Sequence, residues 1–383
     1  MKCPTSASTY AILLCLILLL SGVVLVAKDS QGQVYSSFLA SYANPKLQVQ
    51  CIHTPLWPQP NQNVTITATA VNGSLAPKVV NSIEIVVNTS RSTLLPSTKN
   101  VNNNSSLNYT IGPFTNGTMI SYGCRATDNS ISSTLFTGMK RTVVGAFTEG
   151  RAVPVALTGN PSNNLDILFI ADNKTFSSPT DANFLGDVEK AIQIFYNQSI
   201  FLENQNKTNF WIAQDMGEAK NRCESVPPAN WFNAYLLFDA AVILHRDNSI
   251  RDCTRNDKEI SSANVATAIG QGHLLLHEIG HRPFGLADEY DSGGFYESSS
   301  PYQNVFDGNA TCIKNGLGTT CRSIPYTYGQ NKYFTSDTEP NDLMVDNKQF
   351  QALDDRRIEM WFMQCLTPPD NNPPPPPWCK AQR

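Results

Sequence analysis

The stretch His277-Glu-Ile-Gly-His-Arg-Pro-Phe-Gly-Leu-Ala-Asp-Glu-Tyr290 opens with the pattern H-E-x-x-H, and it decides how the second half of the chain is interpreted. Helical residues four positions apart lie about 40° apart in projection, one turn along the axis. On a helix, His277 and His281 would therefore present two imidazoles to one Zn²⁺ ion. Glu278 would lie about 100° further round, beside the water that the ion activates. The pattern predicts two zinc ligands and a catalytic base.

A third zinc ligand is expected shortly after this helix. Pro283 disfavours a helical residue before it, and Gly285 permits a sharp turn. In the metzincin pattern H-E-x-x-H-x-x-G-x-x-H, the third ligand follows the turning glycine by three residues. That position is Asp288 here, with Glu289 as the adjacent alternative and Glu297 as a more distant one.

Other polar side chains near the pattern receive different interpretations. His273 extends the helical stripe, but ligands two turns apart span about 12 Å and one ion cannot reach both ends, so a packing role is expected. His245 follows an apolar run and is expected to be structural, and His53 is expected to have no companions. Tyr290 and Tyr302 are candidate donors of a hydrogen bond to an oxyanion.

The N-terminus is typical of an exported protein. Lys2 precedes the apolar stretch Ala11–Ala27, which predicts a signal peptide over residues 1–27, with an uncleaved membrane anchor as the alternative. Residues 28–45 are polar and are predicted to be a linker. We therefore expect the body of the protein to be secreted or extracellular, with an association with the cell surface if the anchor is retained.

The cysteines and glycosylation acceptors agree with export. Eight cysteines follow the signal peptide, and their order predicts the disulfides Cys51–Cys124, Cys223–Cys253, Cys312–Cys321 and Cys365–Cys379. Asn-x-Ser/Thr acceptors predict a glycoprotein and occur at Asn63, Asn72, Asn88, Asn103, Asn104, Asn108, Asn116, Asn173, Asn197, Asn206 and Asn309.

Residues 46–145 have the pattern of an all-β immunoglobulin-like sandwich. Runs such as Val64–Val71 and Ser82–Val87 alternate or are β-branched, and Asn/Gly/Pro/Ser clusters separate them. Tyr122 stands two residues before Cys124, as in the tyrosine corner of such domains, and Cys51 is the expected partner of that cysteine.

Residues 146–367 are predicted to form an α/β domain, and 368–383 a Pro-rich extended tail. After a connector over roughly 144–160, apolar runs typical of buried strands occur at Asp166–Ala171, Phe210–Ala213 and Ala240–Leu244. Helical patterns cover 181–203, Ser261–Leu276 and Asp354–Gln364. The last third, 282–367, is otherwise rich in loop residues.

The stretch from His277 to Tyr290 resembles the signature of the IgA peptidase family of zinc metallopeptidases, in which H-E-x-G-H is followed by Gly-Leu-Ala-Asp-Glu-Tyr. The chain departs from that family at Arg282-Pro283, where small or aromatic residues are expected. The resemblance covers about 150–366 and is also carried by Asp166–Asp172, Phe184–Ala191, Phe238–Leu244 and Asn341–Val345. It implies a metzincin-like endopeptidase with ligands His277, His281 and Asp288, base Glu278, and Met344 under the metal.

The composition limits the kinds of molecule that the protein is expected to bind. The net charge of the 383-residue chain is -4 and only 16% of residues are charged, so binding to nucleic acid has no electrostatic support. A secreted zinc endopeptidase acting on protein or peptide substrates is the leading hypothesis. The alternatives are a non-catalytic surface adhesin with a structural or vestigial metal site, and a zinc hydrolase acting on a non-peptide amide.

Overall fold

The computed structural model describes residues 48–71, 82–89, 97–100, 106–128, 133–145, 152–229, 231, 238–255, 260–264, 274–288, 303–316, 320–328, 331–335, 344, 350–366 and 379. The predicted signal peptide (1–27) and linker (28–45) lie outside these residues, as does the predicted tail (368–383) apart from Cys379.

The first unit is an all-β, immunoglobulin-like sandwich of two antiparallel sheets. Its strands in the described residues are β1 (Gln48–Thr54), β2 (Val64–Val71), β3 (Ser82–Thr89), β4 (Ser97–Asn100), β5 (Ser106–Ile111), β6 (Met119–Asp128), β7 (Ser133–Phe136) and β8 (Lys140–Val143). One sheet has the order β1-β2-β5, and the other has the order β4-β3-β6-β7, with β8 also paired to β6. Alternate residues of β3 are buried between the sheets, as the alternating sequence predicts.

A disulfide and a buried polar pair connect the two sheets. The predicted Cys51–Cys124 bond joins β1 to β6. The Tyr122 hydroxyl lies 2.7 Å from Nδ1 of His53, and Nε2 of that ring lies 3.0 Å from the Leu56 carbonyl oxygen. A carbonyl only accepts, so Nε2–H donates to Leu56 and the tyrosine hydroxyl donates to Nδ1. The expectation that His53 has no companions is wrong. A tyrosine corner bonds nearby backbone, whereas the Tyr122 hydroxyl bonds the His53 side chain.

The neutral state of His53 predicts a loss of stability in acid. Burial lowers the pKa of His53 to about 4. In the unfolded chain, His53 binds a proton below about pH 6.5, whereas in the folded protein it does so only near pH 4. The free energy of unfolding should therefore fall by about 3 kcal/mol as the pH falls from about 6.5 to about 4. We expect His53→Gln to remove this part of the pH dependence, measured by urea unfolding at several pH values. Equal slopes for the parent and the variant would contradict the prediction.

The second unit contains a six-stranded mixed sheet in the order β13-β14-β12-β10-β11-β9. Its strands are β9 (Ala152–Ala156), β10 (Leu165–Ala171), β11 (Thr208–Ala213), β12 (Ala240–His245), β13 (Cys253–Arg255) and β14 (Ile260–Asn264). The four inner strands are parallel, and the outer strands β9 and β13 run antiparallel to their neighbours. Every residue of β10, β11 and β12 is buried, which explains the apolar runs within them. Their four polar residues, Asp166, Thr208, Asn209 and His245, are buried as well.

Two sequence-based expectations fail in this sheet. The helical pattern beginning at Ser261 is wrong for Ile260–Asn264, which form the buried strand β14. The cause is tertiary, because this segment pairs with both β12 and β13 and those ladders override a weak local preference. The predicted connector over 144–160 also contains a strand, β9, which pairs with β11.

Helices accompany the sheet. They are α1 (Ala182–Asn197), α2 (Ser199–Glu203), α3 (Leu274–His281), α4 (Asn309–Asn315) and α5 (Ala352–Gln364). The predicted helical segment 181–203 is divided because Gln198 adopts extended dihedral angles between α1 and α2. The loop-rich region predicted for 282–367 also contains α4 and a hairpin of β15 (Arg322–Tyr328) and β16 (Asn331–Thr335).

The remaining three predicted disulfides, Cys223–Cys253, Cys312–Cys321 and Cys365–Cys379, are also present, so the whole predicted set is confirmed. Four disulfides fit an extracellular protein. All eight glycosylation acceptors with described side chains are exposed: Asn63, Asn88, Asn108, Asn116, Asn173, Asn197, Asn206 and Asn309. Among the described residues, no helix combines the length and apolar character needed to cross a membrane.

The sandwich packs directly on the second unit around a buried lysine. Lys140 on β8 is inaccessible to solvent, and its Nζ donates to the carbonyl of Cys51, the hydroxyl of Tyr196 and the side-chain oxygen of Gln205, at 2.7, 2.8 and 3.2 Å. Burial lowers the pKa of Lys140 to about 7. Apolar residues of both units also share one continuous core. The sandwich therefore packs against the second unit through both polar and apolar contacts.

Candidate metal centre

Helix α3 carries the H-E-x-x-H pattern into the interior. His277, Glu278 and His281 are only 3%, 6% and 7% exposed. Among the described elements, the helix comes after β14 in the chain. Its leucines Leu275 and Leu276 belong to the large core. The two histidines lie on one helical face, as the spacing predicts, with their Nε2 atoms 3.2 Å apart.

The turn after α3 returns the chain toward the histidines. Gly285 has a φ of 69°, a conformation that favours glycine, and its amide donates to the His281 carbonyl at 3.0 Å. The Leu286 amide donates to the Gly280 carbonyl at 2.9 Å. These two bonds close the end of the helix and direct the following residues back along it.

Asp288 completes a cluster of three ligand atoms. Its Oδ1 lies 3.1 Å from Nε2 of His277 and 3.3 Å from Nε2 of His281. This oxygen is buried, and neither contact has the geometry of a hydrogen bond. Tetrahedral zinc ligands at about 2.0–2.1 Å from the ion lie about 3.3–3.4 Å from one another. The three residues therefore fit a shared zinc ion. Among the described residues, they are the group of His, Cys, Asp or Glu side chains whose ligand atoms lie close enough to hold one metal ion.

Neighbouring backbone and side chains orient these ligands. Nδ1 of His281 donates to the Leu286 carbonyl oxygen at 2.8 Å, which leaves Nε2 for a metal. Asn304 is buried and makes a pair of hydrogen bonds with the backbone of Ala287, at 3.0 and 2.9 Å. Because Ala287 directly precedes Asp288, this pair fixes the backbone that carries the third ligand. Nothing in the sequence marked Asn304, since its contact is formed only by the fold.

Two residues of α5 hold Phe284, the aromatic residue in the turn after α3. Phe284 is fully buried and packs edge-to-face on Trp361, with ring centroids 5.3 Å apart. Nε of the buried Arg357 donates to the Phe284 carbonyl at 2.6 Å. Both partners lie on α5, so this helix supports the turn that carries the ligand. Sequence reasoning placed no site role on this helix.

Met344 lies against the ligand helix. A Cβ atom built on Gly280 would meet the Met344 sulfur at 3.1 Å and the Leu286 side chain at 3.2 Å. Met344 is fully buried. A larger residue at this position would require Met344 and Leu286 to shift by a few tenths of an ångström, so the glycine favours their close packing on the helix.

Glu278 points to the edge of the sheet. The Thr254 hydroxyl on β13 lies 2.7 Å from Glu278 Oε2 and 2.7 Å from the carbonyl oxygen of the same residue. Glu278 is not one of the three converging ligands. Its carboxylate is therefore not taken up by the three-residue cluster.

The electrostatics of the cluster favour positive charge. Burial raises the pKa of Asp288, but the two neighbouring imidazoles lower it more, and it lies well below its usual range. Burial lowers the pKa of His281, but the Asp288 and Glu278 carboxylates raise it more, to about 9. Burial also raises the pKa of Glu278, against the opposing effect of both histidines. An ionised carboxylate thus stabilises a cation between the imidazoles.

Several sequence candidates have other outcomes. His245 has the expected structural environment: it is buried and its Nε2 lies 2.8 Å from Asp252 Oδ1. The alternatives for the third ligand, Glu289 and Glu297, lie outside the described residues. So do His273, Tyr290 and Tyr302, and their assignments stay predictions.

Comparisons with known proteins add little. No protein-family model and no curated protein matches the chain. The CARDB domain of a Pyrococcus furiosus protein, solved in complex with di-metal ions, is similar over 27% of this chain and 96% of its own, with 15% identity and a TM-score of 0.20. A Paenibacillus cycloisomaltooligosaccharide glucanotransferase is similar over 76% of this chain and 34% of its own, with 10% identity and a TM-score of 0.21. Neither likeness carries an argument about function.

Proposed function

We propose that this chain is an exported zinc endopeptidase that hydrolyses protein or peptide substrates. His277, His281 and Asp288 hold the ion, and Glu278 is the catalytic base. The observation that carries the proposal is the convergence of three ligand atoms within 4.8 Å of one another, with one carboxylate oxygen buried and lacking a hydrogen bond. The three ligands found among the described residues leave one position of a tetrahedral ion open, as in catalytic zinc sites and unlike closed structural ones.

Each residue of the site has a distinct part in this reaction. Zinc, when bound, polarises the substrate carbonyl and lowers the pKa of water. Glu278 removes a proton from that water and later passes it to the leaving amine. The buried cluster excludes bulk water, which strengthens the interaction between Glu278 and the reacting atoms.

The sheet edge beside Glu278 suits an extended peptide. Strand β13 is the outer strand of the sheet in the described part of the chain, and it pairs there only with β14. An outer strand offers unpaired backbone groups to which a peptide can add as a further strand. Because Thr254 of this strand contacts Glu278, a peptide bound along β13 would lie next to the base. This favours a peptide over a small amide as the substrate.

Within the same proposal, the second unit is an α/β metzincin-like metallopeptidase domain related to the IgA peptidase family. The support is the order of elements: a sheet with four parallel inner strands and two antiparallel outer strands, then the ligand helix, then a turn that brings in the third ligand. The methionine packed against Gly280 is similar to a Met-turn. The immunoglobulin-like sandwich then precedes and supports this domain.

The purified full chain tests the proposed function directly. We expect about one zinc ion per chain by elemental analysis, and cleavage of unfolded casein that stops with a zinc chelator and returns with added Zn²⁺. Mass spectrometry of the products should show internal peptide-bond cleavage. Bound zinc without chelator-sensitive cleavage of any unfolded protein would favour the adhesin instead. Release of non-peptide amide products alone would favour a different hydrolase.

A further inference from the structure

Thr254 has an unusual position relative to the base. It lies on β13, 24 positions before Glu278 in the chain, and no sequence pattern singles it out. Its hydroxyl oxygen lies 2.7 Å from Glu278 Oε2, 2.7 Å from the Glu278 carbonyl oxygen and 2.9 Å from the Ser261 hydroxyl on β14. Three partners thus surround one hydroxyl.

The number of hydrogens fixes the direction of these bonds. A hydroxyl has one hydrogen to donate and two lone pairs to accept. Both Glu278 oxygens only accept while the carboxyl group is ionised, so the Thr254 hydrogen points to Glu278. The remaining hydroxyl, that of Ser261, can then donate to Thr254. The result is a chain of hydroxyl groups that ends on the catalytic carboxylate.

The strand that carries Thr254 is held by one ladder and by one disulfide. Thr254 faces Ser261 across the β13–β14 ladder. The preceding residue, Cys253, is bonded to Cys223 in a separate segment. These covalent and ladder contacts fix the backbone of β13, so the threonine hydroxyl has a defined position relative to α3.

We propose, on the basis of the function inferred above, that Thr254 is a positioning residue that holds the Glu278 carboxylate in place for proton transfer. A glutamate side chain rotates about three bonds, and without a fixed contact its carboxylate would sample several orientations. Thr254 restricts it from the sheet side. When Glu278 has taken a proton from water, the Thr254 hydrogen can turn to the backbone carbonyl without movement of either element.

Two substitutions at this position separate the hydroxyl from the shape of the side chain. Thr254→Val keeps the β-branched shape that suits a strand and removes the hydroxyl, and Thr254→Ser keeps the hydroxyl. Ser262→Ala is the matched control. It removes a buried hydroxyl one residue beyond Ser261, where the strand presents its side chain to the opposite face of the sheet.

We expect Thr254→Val to lower kcat for a casein-derived peptide by about 10–100-fold, the usual effect of removing a contact just outside a metal site, with KM and zinc content close to those of the parent. Thr254→Ser and Ser262→Ala should keep kcat within about two-fold of the parent, since neither removes the contact to Glu278. Parent-like kcat in Thr254→Val overturns the proposal, as does an equal loss in Ser262→Ala.

A crystal structure of Thr254→Val gives a readout that does not need activity. The Glu278 carboxylate should leave the position that it occupies in the parent, and an unmoved carboxylate would overturn the proposal. If the parent does not hydrolyse peptides but the carboxylate still moves, the proposed function fails while the positioning role of Thr254 stands. If the parent hydrolyses peptides and Thr254→Val has the same activity and the same carboxylate position, the proposed function stands while the positioning role of Thr254 fails.

Discussion

Replacing Glu278 with glutamine is expected to abolish most peptide hydrolysis while zinc remains bound. Glutamine has nearly the same shape, and its amide oxygen can still accept the hydrogen bond that Thr254 donates at 2.7 Å. It cannot take a proton from water, so the loss should match that of a general base, about 10²–10⁴-fold in kcat. The three metal ligands are untouched, so zinc content should equal that of the parent.

The measurement is initial cleavage of casein at saturating substrate, with zinc content determined on the same samples. Glu203→Gln is the control, because this residue is exposed at the end of α2, is not among the three converging ligands, and the substitution makes the same change of charge. A Glu278→Gln variant that cleaves casein as fast as the parent would show that the assigned base is wrong. A variant that loses zinc would show that Glu278 also contributes to binding of the metal.

The second large effect is expected at the third ligand. Asp288→Asn removes the charge that faces both imidazoles but keeps the size of the side chain and leaves the backbone pair between Asn304 and Ala287 intact. Loss of a residue that only orients a ligand weakens metal binding about 10–100-fold, so loss of a charged ligand should exceed about 100-fold. Cleavage should fall in parallel at limiting zinc.

Zinc affinity can be measured by competition with a chromophoric chelator. Asp307→Asn is the matched control, since Asp307 is exposed and follows Asp288 in the same part of the sequence. Unchanged zinc affinity in Asp288→Asn would exclude this residue as the ligand. The same assay on Glu289→Gln would then decide whether the adjacent acid takes its place.

Much of the fold follows from local patterns in the sequence. The apolar runs that became the main parts of β10, β11 and β12 are buried on both faces, which favours apolar side chains at most of their positions. The alternation in β3 likewise reflects one buried and one outer face. Pairing the cysteines in sequence order gave all four disulfides.

Failures occurred where distant contacts outweighed local preference. Ile260–Asn264 has no strong strand pattern, yet it is a strand because two neighbours supply its ladders. Likewise, the buried Lys140 looks in sequence like any surface lysine. Its three acceptors come from β1, from α1 and from the 3-10 turn at Gln205, which the chain brings together only on folding.

For the candidate site, the sequence by itself determined the chemistry: the helical spacing of His277 and His281, the acid between them, and the turn that makes Asp288 a candidate third ligand. These features depend on residues within about one or two helical turns, where backbone geometry alone fixes the separations. Only the tertiary structure decided that the Asp288 oxygen reaches both imidazoles and that Thr254 and Asn304 hold their neighbours in place. Such contacts join separate elements, and the physical reason is that packing of the sheet, the helix and the turn sets distances that no local spacing contains.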